Sequence, residues 1–307
     1  MSIGLLFPGQ GSQCVGMGKV LAQAFPDASE VFQEADDLLG FHLSRLAWEG
    51  PEEELNLTKN AQPALLVHSI AVHRVIEGEL GEVGIAAGHS LGEFSAHVAA
   101  GTISFQDAVG TVRLRGELMY ASGAERPGTM AALLGLDKEA VEAVCRAVGE
   151  RGMICVAANI NTQAQVVISG ERGGVEEAMA LAKDAGAKKA VLLTVSGAFH
   201  SPLMAPAKKG LRDRLEAINF SDPLYPVMSN VTAEPVVQGR EARGLLVDQL
   251  TSPVRWSASI DRMVAGGVDR FFELGPGSVL CGLNRRNAKG FPCTSLSEPP
   301  DFDNLGK

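Results

Sequence analysis

Cysteine is sparse in this chain, basic residues are outnumbered by acidic ones, and no long apolar run occurs. Cys14, Cys145, Cys155, Cys281 and Cys293 stand singly, so their spacing offers neither a disulfide framework nor a CxxC zinc or redox pair. A reducing compartment fits best. No stretch approaches the ~18 uninterrupted apolar residues of a membrane span, and the N-terminus, Met1 to Phe7, shows neither a basic n-region nor an Arg/Ser-rich transit pattern. A cytoplasmic protein without a membrane partner is expected. Lys and Arg number 27 against 36 Asp and Glu, a formal charge of -9, which argues against nonspecific binding to nucleic acid. Three local basic clusters remain: Lys188-Lys189, Lys208-Lys209 with Arg212 and Arg214, and Arg285-Arg286 with Lys289. They are either solvated helix faces or patches that meet an acidic partner protein.

What is present is a chain of 307 residues, 46% hydrophobic and 21% charged, long enough to bury a substantial core without a staple. Ile3 to Phe7 reads as a buried strand ending in the loop Pro8-Gly9-Gln10-Gly11-Ser12-Gln13. A mostly helical stretch over about 17–80 follows. Val83 to Ala87 is a second strand, with helices expected over Leu91 to Ala100 and Phe105 to Tyr120. The composition changes at Glu125-Arg126-Pro127-Gly128. Strands over Thr129 to Leu134, Ile154 to Ile160, Gln165 to Ser169 and Lys189 to Val195, with helices over Lys138 to Val148 and Val175 to Ala185, then give the order βαββαβ. That order is the split βαβ, ferredoxin-like arrangement, and it predicts an inserted lobe over 126–196. Beyond it the chain returns to strand and helix alternation, including a strand over Val268 to Leu274 and a helix over Val279 to Arg286, and the tail from Ser297 is expected to be loosely held.

Gly88-His89-Ser90-Leu91-Gly92 follows an apolar strand and opens a helix, the setting in which G-x-S-x-G reads as a nucleophile elbow. Ser90 would project its hydroxyl at the helix N-terminus, with the Leu91 N–H facing a developing oxyanion. The alternative is a glycine-rich turn with an ordinary N-cap serine. A serine hydroxyl needs a base. Of six histidines, His42, His68, His73 and His97 lie in helical or linker segments, and His89 is the neighbour of Ser90 along a tight turn and tends to point elsewhere. His200, in Gly197-Ala198-Phe199-His200-Ser201-Pro202, stands where the chain leaves the inserted lobe and enters a helix, a place from which it faces a cleft between domains. The acids between Ser90 and His200 lie mainly on helix faces, so a backbone or amide oxygen is left as the group that orients the imidazole. Arg113 and Arg115 are two residues apart on one helix, so at most one faces the cleft. An inward guanidinium would select acyl groups with a free acid end, whereas an outward one would make a surface ion pair.

The chain resembles the malonyl-CoA:acyl carrier protein transacylases, the stand-alone relatives of the acyltransferase domains in fatty acid and polyketide synthases. The motifs that carry the resemblance run nearly end to end: Phe7-Pro8-Gly9-Gln10-Gly11-Ser12-Gln13, Gly88-His89-Ser90-Leu91-Gly92-Glu93, Arg113-Leu114-Arg115-Gly116, Ala158-Asn159-Ile160-Asn161, Gly197 to Met204, Ser229-Asn230-Val231-Thr232, Gln249 to Trp256 and Glu273-Leu274-Gly275-Pro276-Gly277. The resemblance implies an α/β fold, with an α/β-hydrolase-like catalytic domain over 1–125 and 197–307 around a mostly parallel sheet and a ferredoxin-like insert over 126–196. It implies that Ser90 takes malonyl from coenzyme A and passes it to the phosphopantetheine thiol of acyl carrier protein in a ping-pong cycle, with His200 as base. Arg115 then binds the carboxylate, Gln10 and the Leu91 N–H form the oxyanion hole, and Gln249 orients His200 through its main-chain carbonyl. Phe199 matches the pattern that leaves little room for an α-methyl branch. The remaining candidates at the substrate site are His89, Met130, Asn159, Asn161 and Asn230, and no metal or cofactor is called for beyond the substrates, malonyl-CoA and phosphopantetheinylated acyl carrier protein. Two other activities compete with transfer: a thioesterase or esterase that uses the same serine with water, and a noncatalytic acyl-binding module.

Overall fold

The computed structural model describes residues 2–303 and 305. Strand β1 (Ser2–Phe7) is followed by five helices, α1 (Lys19–Ala24), α2 (Pro26–Leu39), α3 (Leu43–Glu49), α4 (Glu52–Leu55) and α5 (Thr58–Ile76). Next come β2 (Val83–Gly88), α6 (Gly92–Ala99) and α7 (Phe105–Glu125). A second group then forms: β3 (Gly128–Leu134), α8 (Lys138–Gly149), β4 (Cys155–Thr162), β5 (Gln165–Glu171), α9 (Arg172–Asp184) and β6 (Lys189–Leu192). The chain continues through a 3-10 turn (Pro202–Met204), α10 (Ala205–Glu216), β7 (Val227–Met228), β8 (Pro235–Val236), α11 (Gly239–Asp248), a 3-10 turn (Gln249–Thr251) and α12 (Trp256–Ala265). It closes with β9 (Val268–Leu274), α13 (Val279–Asn287), β10 (Cys293–Leu296) and α14 (Pro299–Phe302).

Two sheets result. Six strands in the order β10-β9-β1-β2-β7-β8 make a sheet that is parallel except at its β7–β8 edge, and four strands in the order β4-β5-β3-β6 make an antiparallel one. Near-continuous apolar runs such as Leu5, Leu6 and Phe7 suit the parallel sheet because helices cover both of its faces, and all three are fully buried. The smaller sheet has its own apolar core, built from Leu133, Val141, Val148, Ile168, Val175 and their neighbours between the strands, α8 and α9. What matters for the site is direction. The parallel alignment brings the C-terminal ends of β1, β2, β7 and β9 to one edge, with Phe7 paired to Gly88. The loops that follow carry Gln10, Ser90, Asn230 and Gly275, and the crevice outside such strand ends is where open α/β sheets bind ligands.

Several sequence expectations are corrected. The strand expected over Lys189 to Val195 stops at Leu192; the Leu193 N–H still donates to the Met130 carbonyl at 2.9 Å, but residues 193–195 leave the ladder and line the crevice. β10 was not expected because Cys293-Thr294-Ser295-Leu296 is short and half polar, a composition suited to its place on a sheet edge. The tail is not loosely held as far as residue 303: the Glu298 carboxylate accepts the N–H groups of Gly18 and Leu21 at 3.1 Å each, capping α1, and the Phe302 ring lies 5.7 Å from Phe25. Cys281 and Cys293 are not single; they form a disulfide, because α13 packs back against the edge of the sheet and brings their Cα atoms to 5.3 Å across a separation of twelve residues that carries no pattern.

Candidate active site

Backbone crowding explains the glycines of the elbow. A Cβ on Gly88 would overlap the backbone of Gly92, and one on Gly92 would overlap the Phe7 carbonyl, so α6 can start against β1 only if both positions lack a side chain. Ser90 is thereby held at φ 52°, a left-handed conformation that costs a non-glycine residue on the order of 1–3 kcal/mol. Two side chains brace it. Asn230 accepts the Ser90 N–H at 2.7 Å and donates to the Gly88 carbonyl at 2.7 Å, while Gln249 Nε2 donates to the Ser90 carbonyl at 3.0 Å.

His200 reaches the elbow from the loop that follows β6. It too is left-handed, at φ 57°, and Ser201 fixes the loop by donating to the Ala198 carbonyl at 2.6 Å and capping the 3-10 turn at Leu203 N. His200 Nδ1 lies 2.8 Å from the Gln249 main-chain oxygen and Nε2 lies 2.7 Å from Ser90 Oγ. A carbonyl only accepts, so Nδ1 carries the proton and Nε2 presents its lone pair to the serine O–H. Burial, with the Arg115 cation beside it, holds the imidazole down to about 3, so it is neutral and ready to accept a proton at ordinary pH.

Arg115 is the arginine that faces inward. It is 1% exposed, and its guanidinium donates to Gln62 Oε1 at 2.6 Å, to Gln249 Oε1 at 2.8 Å and to Ser90 Oγ at 3.3 Å, while its Nε–H has no partner among the described residues. Arg113 instead turns outward to Glu117, Asn60 and the Lys59 carbonyl. Burial lowers the Arg115 guanidinium to about 10 while Glu93 pulls the other way, so it stays a cation.

A cavity of about 260 Å³ opens in front of Ser90 and His200, lined among others by Gln10, Gln62, His89, Leu91, Met119, Met130, Asn159 and Phe199. Arg115 stands behind this lining, reached past Ser90 and Gln62. Gln10 spends its side chain on Thr58 Oγ1 at 3.2 Å; its main-chain N–H and that of Leu91 find no acceptor among the described residues. Asn159 sits where β4 loses register with β5, and its buried Oδ1 is unpartnered beside the cavity. Asn161 and Asn230 do not line the cavity. Asn161 takes His89 Nε2 at 2.9 Å and so turns that ring away from the serine hydroxyl, and Asn230 braces the elbow. A larger hollow of about 410 Å³ lies elsewhere, against Arg74, Thr102 and Phe105; the Ser104 hydroxyl on its wall donates to Asp107 and caps α7.

Two participants escaped sequence reading. Glu93, 1% exposed, accepts from Gln249 Nε2 at 2.6 Å and from Asn230 N at 3.2 Å; an acid in the first turn of a helix ordinarily reads as a partner of the helix dipole. Gln62 sits inside α5 with no flanking signal. Of the basic clusters, Lys208 pairs with Asp248, Lys209 with Asp213 and Arg214 with Asp107, which commits much of the second cluster to local ion pairs.

A strained serine at a strand-to-helix turn, a neutral histidine on its hydroxyl and N–H groups without acceptors among the described residues stand together in this mixed α/β protein, an arrangement chemically able to form an acyl-serine. The chain belongs to the acyl transferase family: the family model described as "Acyl transferase domain" matches residues 5–295. It is 48% identical over 301 residues, 98% of this chain and 95% of the relative, to the malonyl CoA-acyl carrier protein transacylase of Bacillus subtilis strain 168. A crystal structure of an acyl-carrier-protein S-malonyltransferase from Bartonella henselae superimposes with a TM-score of 0.96 at 45% identity, covering 100% of both chains. A complex described as a type II PKS acyl-carrier protein with its malonyl-transacylase superimposes with a TM-score of 0.96 at 42% identity, covering 99% of both chains. Among the described residues no helix is long and apolar enough to cross a membrane.

Proposed function

We propose that the chain is a malonyl-CoA:acyl carrier protein transacylase that works through an acyl-Ser90 intermediate. The observation that carries this reading is the relay from the Gln249 carbonyl through His200 to Ser90 Oγ, with a buried guanidinium 3.3 Å from the same oxygen. The first half-reaction follows from it. Ser90 Oγ forms a bond to the thioester carbon as its proton passes to His200 Nε2, and the negative charge that develops on the carbonyl oxygen is met by the main-chain N–H groups of Leu91 and Gln10. When the carbon–sulfur bond breaks, the departing coenzyme A thiolate takes the proton back from Nε2. The phosphopantetheine thiol of acyl carrier protein then attacks acyl-Ser90 in the reverse sequence, so no metal or resident cofactor is called for. Arg115 meets the free carboxylate of the malonyl group, and Phe199, 6% exposed with its ring on the cavity, limits room beside the α-carbon. Met130, Asn159 and His89 complete the wall, with Asn161 and Asn230 acting through His89 and Ser90.

The finer description of the fold belongs to the same reading. The strand order β4-β5-β3-β6 supports a ferredoxin-like insert over 126–196, and the elbow on a parallel sheet supports an α/β-hydrolase-like domain over 1–125 and 197–307. A cytoplasmic setting belongs to the same reading; of the five cysteines Cys14, Cys145 and Cys155 are free thiols, beside the one Cys281–Cys293 disulfide. The test is intact-protein mass spectrometry after brief exposure to malonyl-, methylmalonyl- and acetyl-CoA. A malonyl adduct on Ser90 that is discharged by holo acyl carrier protein is expected. Absence of any adduct overturns the reading, and release of free malonate as fast without carrier as transfer occurs with it would make the chain a thioesterase.

A further inference from the structure

Glu93 is a buried acid that the steps above leave unused. It lies on the first turn of α6, three residues after the nucleophile, and both groups that touch its Oε2, Gln249 Nε2 and the Asn230 main-chain N–H, are donors, so the site is built to hold it as a carboxylate. The Gln249 amide is a bridge. Its Nε2 faces Glu93 at 2.6 Å and its Oε1 faces Arg115 at 2.8 Å, so one planar group joins the buried anion to the buried cation. Other ionisable groups around the cluster are neutral. His200 is on the cavity side, His97 lies one turn further along α6, and His89 lies on the elbow; burial depresses all three, His200 and His97 to about 3. Among the described residues Arg115 is therefore the only cation available to Glu93, and neither is more than 1% exposed.

A malonyl group on Ser90 brings a second carboxylate to that cation. One guanidinium cannot neutralise two anions in a water-poor site, where the second charge is penalised far more than in water. We infer that Glu93 is a specificity-determining residue which competes with the acyl carboxylate for Arg115 and yields by taking up a proton, so that loading of a carboxylate-bearing acyl group is coupled to protonation of Glu93. Burial already lifts Glu93 to about 7, against the pull of Gln249, Asn230 and Arg115, which places the exchange within the working range of pH. The sign follows from linkage: a nearby malonyl anion favours protonated Glu93, so protonated Glu93 favours malonyl. Lower pH strengthens the preference and higher pH weakens it.

This inference rests on the transfer reading, and its test separates the two. Rates of Ser90 acylation by malonyl-CoA and by acetyl-CoA are measured from about pH 6 to 8.5, and their ratio is taken, since the ratio cancels titration of His200 and of the coenzyme A phosphates. In the wild-type protein the ratio is expected to fall by roughly tenfold or more across that range, the coupling of two charges through a partly buried site. In Glu93→Gln, whose side-chain oxygen can still accept from Gln249 and Asn230, the ratio is expected to be flat. A wild-type ratio independent of pH overturns the inference, without needing any variant to fold. A fall of the same size in Glu93→Gln also overturns it by assigning the titration to another group. Failure of Ser90 to load at any pH would instead overturn the transfer reading.

Discussion

Replacing Arg115 with alanine separates recognition of the acyl group from the chemistry at Ser90. In the free protein the guanidinium is held by Gln62 and Gln249, has an unpartnered Nε–H and touches Ser90 Oγ, so it has capacity for one or two charge-assisted contacts with a carboxylate carried on Ser90. Such a contact in a buried site contributes about 3–4 kcal/mol. At ~1.4 kcal/mol per decade, Arg115→Ala should lower malonyl loading by roughly 10²–10³-fold. Acetyl has no carboxylate to lose. Its loading should still decline, because Arg115 also touches Ser90 Oγ at 3.3 Å, but by less than about tenfold, the value of one hydrogen bond. Loss of the cation also lets the His200 pKa rise, though burial still holds it below ~6.5, moving the acid limb of the rate profile to higher pH, so the comparison belongs at about pH 8 where the imidazole is neutral in both proteins. The assay is single-turnover acylation followed by intact mass. Equal losses for malonyl and acetyl would refute the assignment of Arg115 as the carboxylate anchor.

Ser90→Ala should show no acyl adduct while still binding malonyl-CoA by calorimetry; an adduct in that variant would place the nucleophile elsewhere. Phe199→Ala should raise methylmalonyl loading relative to malonyl by about ten- to a hundredfold, the worth of a methyl group in a fitted pocket, and an unchanged ratio would remove the ring from specificity. Burial holds His68 at about 4 and His97 and His200 at about 3, below the ~6.5 of the unfolded chain, so the stability gained by keeping them neutral is whole above pH ~6.5 and is lost as pH falls towards the folded values. Glu93, raised to about 7, retains a proton in the folded state and offsets about one of the three. Near pH 5 the unfolding free energy should therefore fall by roughly 3 kcal/mol per pH unit, read from urea midpoints, and a flat profile between about pH 6 and 4.5 would contradict the burial of these rings.

The parts of this molecule that announce themselves in the sequence are those where local backbone chemistry dictates the residue. Gly88 and Gly92 are legible because no side chain fits between α6 and β1, and the apolar runs of β1, β2 and β9 are legible because a two-sided parallel sheet demands them. His200 is legible because its loop carries glycine, serine and proline at a boundary between two patterns. Boundaries fail where a tertiary contact decides them. β6 stops at Leu192 because residues 193–195 turn to line the cavity beside Ser90, β10 exists because an edge position tolerates polar residues, and the tail is pinned by Glu298 reaching back to α1. Cys281 and Cys293 meet only because α13 folds back on the sheet edge, which no spacing rule encodes.

The polar network behind Ser90 shows a deeper reason for illegibility. Gln62, Glu93, Arg115 and Gln249 come from four separate stretches, and each has an innocent local explanation: a glutamine in a helix, an acid in a first turn, an arginine on a helix that also carries acids, and a glutamine at a helix end. Their shared property is electrostatic, since a buried cation has to be balanced and oriented by whatever surrounds it. The main-chain oxygen of Gln249 meets His200 while its side chain joins Glu93 to Arg115, so in the proposed reaction one residue links proton transfer at Ser90 to recognition of the acyl carboxylate. Gln249→Ala keeps the carbonyl and removes the bridge, together with the 3.0 Å hydrogen bond to the Ser90 carbonyl. It should therefore preserve the neutral His200 and lower malonyl loading more than acetyl loading; if acetyl loading fell as far, the side chain would be supporting the base rather than the cation.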